Sequence, residues 1–167
     1  GRAARAAHRL GGDPGSLITN QLTLDGGIFA AIGTFGMDVN RGITLGSSGG
    51  TIWVDASRFL TNSSGIYGGG NLTKAGDGVL ILTEDSEYAG DTFVAGGVMR
   101  LDATNALPGG TLAAGGTSAL TLTDGGVLGL GATNFLRGLG AGDDQVQWAG
   151  DGGFAAYNRN RLVNIGG

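Results

Sequence analysis

The residues of this chain best suited to acid–base or metal chemistry are three aspartates near its C-terminal end. Asp143 and Asp144 are adjacent in the stretch GLGAGDDQVQWAGDGG, and Asp151 lies close behind them. Paired carboxylates can act as general acid and base, or they can hold Ca²⁺. Adjacent strand residues point to opposite faces, however, and Asp-Gly favours turns. The sequence therefore predicts a polar corner loop here, with no catalytic residue.

Other catalytic and cofactor signatures lack the surroundings that they need. A Ser-His-Asp triad would have to use His8, the only histidine, which lies in an Arg/Ala segment without an obvious partner. The chain has no cysteine, which excludes thiolate metal sites, and the calcium nonapeptide GGxGxDxUx is never repeated. We therefore predict a protein that is not an enzyme and that has no metal or cofactor.

Aromatic residues are the remaining candidates for recognition. An outward row of rings would offer flat apolar faces on which sugars can stack, although such residues more often pack at coil edges or cover an end of the core. Tyr88 falls within the repeat described below and is assigned to its architecture. The candidate contacts for a glycan or a protein are Trp53, Tyr67, Trp148 and Tyr157.

The charge of the chain argues against nucleic-acid binding. The formal net charge is −4, and the only basic cluster is Arg2, Arg5 and Arg9 beside His8. Nucleic-acid-binding domains usually carry a basic patch or stripe, so no nucleic-acid partner is predicted. A further set of arginines is expected at the surface: Arg137, Arg159 and Arg161.

The chain carries no targeting or membrane-spanning signal. No apolar run approaches the roughly 20 residues of a transmembrane helix, so no membrane span is predicted in this segment. The start, GRAARAAHRLGGDPG, lacks the apolar stretch of a signal peptide and an initiator Met. We expect an internal piece of a longer protein.

Glycine dominates the composition, with 37 of 167 residues, whereas proline occurs only twice. Collagen is excluded because there is no G-X-Y period. Disorder is a poor fit because 41% of the residues are hydrophobic and 14% are charged. The composition therefore indicates ordered structure rich in tight turns.

One local pattern recurs: an apolar-Thr-apolar strand, a glycine turn and a second apolar alternation. The glycine before the second strand falls at intervals of 19 to 29 residues, which is typical of one solenoid coil per repeat. We expect an inward ladder of Leu24, Leu45, Leu80 and Leu122. A stack of two-residue hairpins shares this local pattern and stays open as an alternative. The turn glycines are Gly27, Gly50, Gly78, Gly97 and Gly126.

Residues 72–83 (LTKAGDGVLILT) and 88–101 (YAGDTFVAGGVMRL) resemble the autotransporter-associated β-strand repeat, also called the passenger-associated transport repeat. The pattern of that family is roughly L-T-K-x-G-x-G-x-L-x-L, then x-Y-x-G-x-T-x-V-x-x-G-x-L-x-L. Lys74, Tyr88 and the glycines fall in register with it, while Asp91 replaces a common Gly. The resemblance implies a right-handed parallel β-helix at a bacterial cell surface or beyond. It also makes Lys74 and Tyr88 parts of the repeat's own architecture.

The predicted fold is all-β: a right-handed single-stranded parallel β-helix, or β-solenoid, of about five or six coils. It covers residues 17–167, with 71–101 as the best repeat unit. Residues 1–16 are predicted to form an N-terminal segment with a short helix and a turn.

The predicted function is a non-enzymatic structural segment of a bacterial surface or secreted protein, a stiff rod for display, spacing or assembly. The first alternative is a carbohydrate-binding adhesin segment, and the second is a β-helix polysaccharide lyase or hydrolase. The predicted partners are another copy, through the unpaired strand edges at the coil ends, and a cell-surface glycan or protein.

Overall fold

The computed structural model describes residues 10–112 and 115–166, so the expected helix within residues 1–16 falls largely, and His8 wholly, outside the described part. No α-helix occurs in the described ranges. The strands are short because a glycine-containing turn follows almost every one. In chain order they are β1 (Ile18–Leu24), β2 (Gly27–Ala31), β3 (Phe35–Met37), β4 (Arg41–Leu45), β5 (Gly50–Val54), β6 (Phe59–Asn62), β7 (Ile66–Gly68), β8 (Leu72–Ala75), β9 (Val79–Leu82), β10 (Thr92–Ala95), β11 (Val98–Leu101), β12 (Leu120–Thr123), β13 (Gly126–Leu130), β14 (Val146–Trp148) and β15 (Gly152–Ala156).

These strands form three parallel sheets that make the sides of a solenoid. Sheet A has the order β1-β4-β7, sheet B the order β14-β12-β10-β8-β5-β2, and sheet C the order β15-β13-β11-β9-β6-β3. Every partner of a strand lies on the coil before or after it, and every named pairing is parallel. Hairpins would pair consecutive strands in antiparallel fashion, so that alternative is excluded. The predicted all-β solenoid of five or six coils is confirmed.

Coil lengths vary because loops at the corners absorb the difference. Val98 lies opposite Val79 on the preceding coil and opposite Val127 on the following one. The coil from Val79 to Val98 is short and overlaps the best repeat unit. The coil from Val98 to Val127 is long because it carries the extended connection between β11 and β12. In the described ranges the third side has no regular strand after β7, although Glu87 and Ala89 still donate backbone hydrogen bonds to Ile66 and Gly68.

The structure corrects the phase of the repeat derived from glycine spacing. Gly27 and Gly50 lie opposite each other at the start of β2 and β5, in sheet B. Gly78 and Gly97 instead precede β9 and β11, and Gly126 begins β13, all in sheet C. Two different corners use the same turn sequence. The interval from Gly50 to Gly78 therefore spans a full coil and an additional side.

The expected single ladder of leucines is wrong for the same reason. Leu24 and Leu45 are in register in sheet A, but Leu80 lies in sheet C and Leu122 lies in sheet B. All four side chains are buried. They face one core from three different sheets. The apolar alternation therefore predicted correctly that these residues point inward, but it did not predict the sheet to which each belongs.

The longest continuous apolar ladder runs down sheet C. Its members occupy equivalent positions on successive coils: Phe35, Leu60, Leu80, Met99, Leu128 and Phe154. The four central side chains are completely buried. Burying a side chain of this size contributes about 1.5–3 kcal/mol, so stacking of coils is the main source of stability.

Candidate functional site

The four aromatic residues predicted as contacts lie on different parts of the solenoid. Trp53 projects from the outer face of sheet B, and Tyr67 lies in sheet A. Tyr157 follows the last strand of sheet C, whereas Trp148 lies in the last strand of sheet B. The structure does not bring these four rings together, so each has to be considered with its own neighbours.

Trp53 presents a flat ring to solvent, with 43% of its surface exposed. The residues in register with it on the neighbouring coils are Ala30 and Ala75, which leave the ring uncovered. The indole lies against the turn at Gly76, where a Cβ atom would stand 2.9 Å from its Cε2 atom. The Trp53 indole is therefore open to solvent on its outer side and rests against the backbone of the turn at Gly76.

Tyr157 packs against the outer face of sheet C. The guanidinium carbon of Arg100 lies 4.6 Å from the centre of the Tyr157 ring, a cation–π distance. Arg100 also donates a hydrogen bond from Nε to the Oδ1 atom of Asp102, 2.7 Å away. Because this arginine already occupies one face of the ring, Tyr157 offers less open surface than Trp53.

Trp148 covers the C-terminal end of the described core. It lies in register with the buried Leu122, so it occupies an inward position. Its ring meets Phe154 edge-on at 5.5 Å, and Phe154 in turn lies 4.7 Å from Phe135. Trp148 is 38% exposed because no strand of sheet B lies beyond β14 in the described residues. Its packing closes the end of the core.

Tyr67 lies beside a group of acidic residues at the corner between sheets C and A. Its hydroxyl lies above Gly65, where a Cβ atom would be 2.6 Å from the phenolic oxygen. Partial burial raises the pKa of Tyr67, and the negative charges of Glu87 and Glu84 raise it further. Tyr67 is therefore an uncharged donor in an acidic surrounding.

Lys74 lies inside the core, at a position that its neighbours fill with Ile52 and Val94. It is completely buried, and its ammonium donates hydrogen bonds to the carbonyl oxygens of Ala75 (2.9 Å), Gly76 (2.7 Å) and Gly96 (3.1 Å). A lysine has three such donors, so all are satisfied. Burial lowers the pKa of Lys74 to about 8, although the charge of Asp77 opposes this. The cation thus joins the turns of two consecutive coils.

Tyr88 begins a second buried polar group, one coil further along. Its hydroxyl lies 2.7 Å from the Thr92 hydroxyl, which lies 2.7 Å from that of Ser118. All three side chains are buried, and burial raises the pKa of Tyr88 well above its usual value. The chain of hydroxyls links two successive coils, which agrees with an architectural role for Tyr88.

Arg137 corrects an expectation, because it is completely buried rather than at the surface. Its guanidinium donates hydrogen bonds to backbone carbonyl oxygens of Pro108, Gly110, Ser118 and Asp143. Burial lowers its pKa. The guanidinium therefore holds together the long connections on either side of β12 and β13.

Arg41 is a further buried cation that the sequence analysis missed. Its guanidinium donates to the carbonyl oxygens of Leu10 (2.9 Å), Gly11 (3.2 Å) and Gly12 (3.1 Å), and lies 3.4 Å from the Asp13 carboxylate. The sequence did contain a sign that these cations are buried. Each lies two residues from an inward apolar residue, and residues two apart in extended chain share a face. The pairs are Arg41 with Ile43, Lys74 with Leu72, and Arg137 with Phe135.

The aspartates considered for catalysis lie in turns. Asp143 and Asp144 are in the loop before β14, and Asp151 is in the turn before β15. The Asp143 backbone oxygen accepts from Arg137, and the Asp151 backbone oxygen accepts from Gly125. In residues 10–112 and 115–166, no three His, Cys, Asp or Glu side chains are grouped so that they could hold a metal ion.

Comparison with known proteins identifies the repeat at the centre of the solenoid. Residues 72–101 match the family model described as Passenger-associated-transport-repeat. This segment includes both Lys74 and Tyr88, and the repeat predicted from the resemblance is confirmed. Residues 72–101 thus form a passenger-associated transport repeat within a β-solenoid fold.

A curated relative points in the same direction. The chain is 36% identical over 123 residues to the protein named "Adhesin BmaC autotransporter" from Brucella suis biovar 1 (strain 1330). The alignment covers 66% of this chain, which spans only 4% of the length of that adhesin. No solved structure matches the chain. Within the described residues, no helix is both long and apolar enough to cross a membrane.

Proposed function

We propose that this chain is a non-enzymatic structural segment of a bacterial surface or secreted protein, in which stacked coils form a stiff support. The observation that carries this is the in-register stacking of sheets B and C through six strands each. Buried cations at Lys74 and Arg137 hold the corner turns in place. The passenger repeat and the adhesin relative support a location at the cell surface or outside the cell.

Hydrogen exchange followed by mass spectrometry tests the stiff-support function. We expect the amides of β8 to β13 to exchange together and slowly, because they open only when coils separate. The described parts of the connection between β11 and β12 contain no strand, so they should exchange first. Rapid independent exchange of individual coils would contradict the proposal, because such a chain could not transmit stiffness along its axis.

A second candidate function is glycan contact through Trp53, which the open indole on sheet B favours. The relative's printed name, an adhesin, supports binding at a surface. A glycan array probed with the chain and with Trp53→Ala tests this role. Phe59 is a matched control because it is 47% exposed on another sheet. Glycan binding that survives Trp53→Ala, or is lost equally in Phe59→Ala, would exclude the Trp53 site.

Association with another copy is proposed through the first coil. Within the described residues, β2 and β3 each have a partner on one side only. Ile28 and Ile32 are 66% and 76% exposed at this end. Charged side chains near a strand edge oppose pairing with another chain. In sedimentation velocity, Ile28→Lys with Ile32→Lys should therefore reduce concentration-dependent assembly, whereas Phe59→Lys should not.

A further inference from the structure

A groove of about 490 Å³ runs along the corner between sheets C and A. It crosses four successive passages of the chain, which supply Leu17, Val39, Ser64 and Glu84 in turn. Neighbouring strands are about 4.8 Å apart, so three intervals give a length of about 14 Å. The groove is therefore long and narrow and follows the solenoid axis.

One end of this corner groove is acidic. Glu84 and Glu87 are exposed, and neither carboxylate has a hydrogen-bond or ion-pair partner among residues 10–112 and 115–166. The neighbouring Asp85 is held in place, because it accepts hydrogen bonds from the Asn105 backbone N–H (3.0 Å) and side-chain amide (3.1 Å). No lysine or arginine lines the groove in the described chain. This end consequently favours a cationic group.

A buried polar group in the groove wall supplies an independent observation. Ser64 lines the groove, is only 3% exposed, and its hydroxyl has no hydrogen-bond partner in the described structure. Asn62 donates from Nδ2 to the Ser64 carbonyl oxygen at 2.7 Å, and its buried Oδ1 atom is also without a partner in the described structure. Buried polar atoms nearly always have partners. Because Ser64 lines the groove and its hydroxyl can accept a hydrogen bond, it again favours a ligand that carries donors.

The other end of the groove is apolar. Leu17 and Val39 are 50% and 58% exposed there, and Tyr67 lies between them and the carboxylates. A metal ion would leave this end unused, and no three potential ligand side chains are grouped for one in the described residues. An extended peptide advances about 3.3–3.6 Å per residue, so about four residue-to-residue steps span the length.

We propose that this corner groove binds an extended basic segment of a partner protein. A lysine or arginine side chain lies between Glu84 and Glu87, and an apolar side chain four residues away, on the same face of the extended peptide, contacts Leu17 and Val39. The peptide backbone and the basic group supply the donors that Ser64 lacks. This goes beyond the supporting role above, which stands whether or not the groove is occupied.

Fluorescence anisotropy of a labelled peptide containing Leu-Ser-Ser-Ser-Lys, titrated with the whole chain, tests the proposal. We expect saturable binding that weakens as salt is added, because the carboxylates are exposed. Glu84→Gln with Glu87→Gln should weaken binding about fivefold to twentyfold, the range for losing two exposed charge contacts. The matched control is Asp55→Asn with Asp151→Asn, which removes two exposed charges elsewhere and should change affinity less than twofold.

Four further experiments make each outcome decisive. Replacing the peptide lysine by norleucine should abolish the salt dependence, and Ser64→Ala should weaken binding while circular dichroism stays unchanged. Equal loss in the glutamate and aspartate pairs would overturn the proposal, since net charge alone would then explain binding. Binding of a chitosan oligomer in place of the peptide would also overturn it. So would peptide binding that appears only after residues 1–9 are deleted, since this chain's own arginines would then be the occupant.

Discussion

The Nζ atom of Lys74 donates a hydrogen bond to the carbonyl oxygen of Gly96, 3.1 Å away on the next coil. The same ammonium holds the carbonyl oxygens of Ala75 and Gly76 in its own turn. The carbonyl groups of Gly76 and Gly96 lie in corner turns outside the strands, and their hydrogen bonds to the ammonium are buried. A lysine at an inward position supplies these donors with one side chain, which explains a charge inside an otherwise apolar ladder.

Replacing this lysine by an apolar residue of similar length should destabilise the solenoid. Lys74→Met keeps the packing of the stem but leaves three buried carbonyl oxygens without their donor. We expect the free energy of unfolding to fall by about 1–3 kcal/mol, the usual penalty for unsatisfied buried groups. Urea denaturation followed by circular dichroism measures this. Unchanged stability would mean that water replaces the ammonium at the corner.

The pH dependence of stability provides a second test of Lys74. Its pKa is about 8 in the folded chain, below its ordinary value of 10.5. Between these two values the unfolded chain binds more protons, so the free energy of unfolding should rise with pH, by up to about 3 kcal/mol. Below pH 8 the lysine is protonated in both states, and its contribution is constant. The rise from pH 8 to 9.5 should be absent in Lys74→Met.

Tyr88 should act in the opposite direction at higher pH. Burial raises its pKa in the folded chain, so the unfolded chain loses the phenolic proton first. Stability should therefore fall as the pH rises above about 10, the ordinary tyrosine pKa. Tyr88→Phe should reduce this fall and should cost about 1 kcal/mol at neutral pH through the lost hydrogen bond to Thr92. Tyr157→Phe is the control, since Tyr157 makes no hydrogen bond through its side chain in the described structure.

Arg137 should be the costliest of the buried cations to remove. Arg137→Met leaves the carbonyl oxygens of Gly110 and Ser118 without donors and removes one donor from that of Pro108, so we expect a loss of about 3 kcal/mol or more. Arg159→Met should change stability by less than about 0.5 kcal/mol, because Arg159 is exposed. Thermal unfolding of the two variants side by side measures the difference. Similar melting temperatures would contradict the role of Arg137 as a corner support.

Local alternation was enough to predict the solenoid because strands with glycine turns repeat along the chain. The alternation was not enough to assign each strand to its sheet, because Asp-Gly and Gly-Gly turns occur at two different corners. Gly50 lies at the corner before sheet B, whereas Gly78 lies at the corner before sheet C. Arg137 was misplaced because charge was taken as a sign of exposure. Its spacing from Phe135 pointed inward, but the carbonyl groups that satisfy it come from distant loops. The corner groove was also hidden, because Leu17, Ser64 and Glu84 become neighbours only when the coils stack.

The close stacking of turns at Gly97 gives the last prediction. Gly97 has a φ of +57°, and a Cβ atom there would stand 2.4 Å from the Gly78 carbonyl oxygen on the preceding coil. Gly125 has a φ of +77° but no atom within 4 Å of its Cβ position, so it isolates the cost of the backbone conformation alone. Gly125→Ala should cost about 1–2 kcal/mol for the left-handed conformation.

Gly97→Ala should cost at least about 2 kcal/mol more than Gly125→Ala, because it must also push two coils apart and so disturb the pairing of β9 with β11. Urea denaturation of both variants gives the comparison. Hydrogen exchange should show the additional loss of protection in β9 and β11 for Gly97→Ala alone. Equal costs for the two alanines would mean that the coils can separate locally without penalty, which is incompatible with stability that depends on stacking.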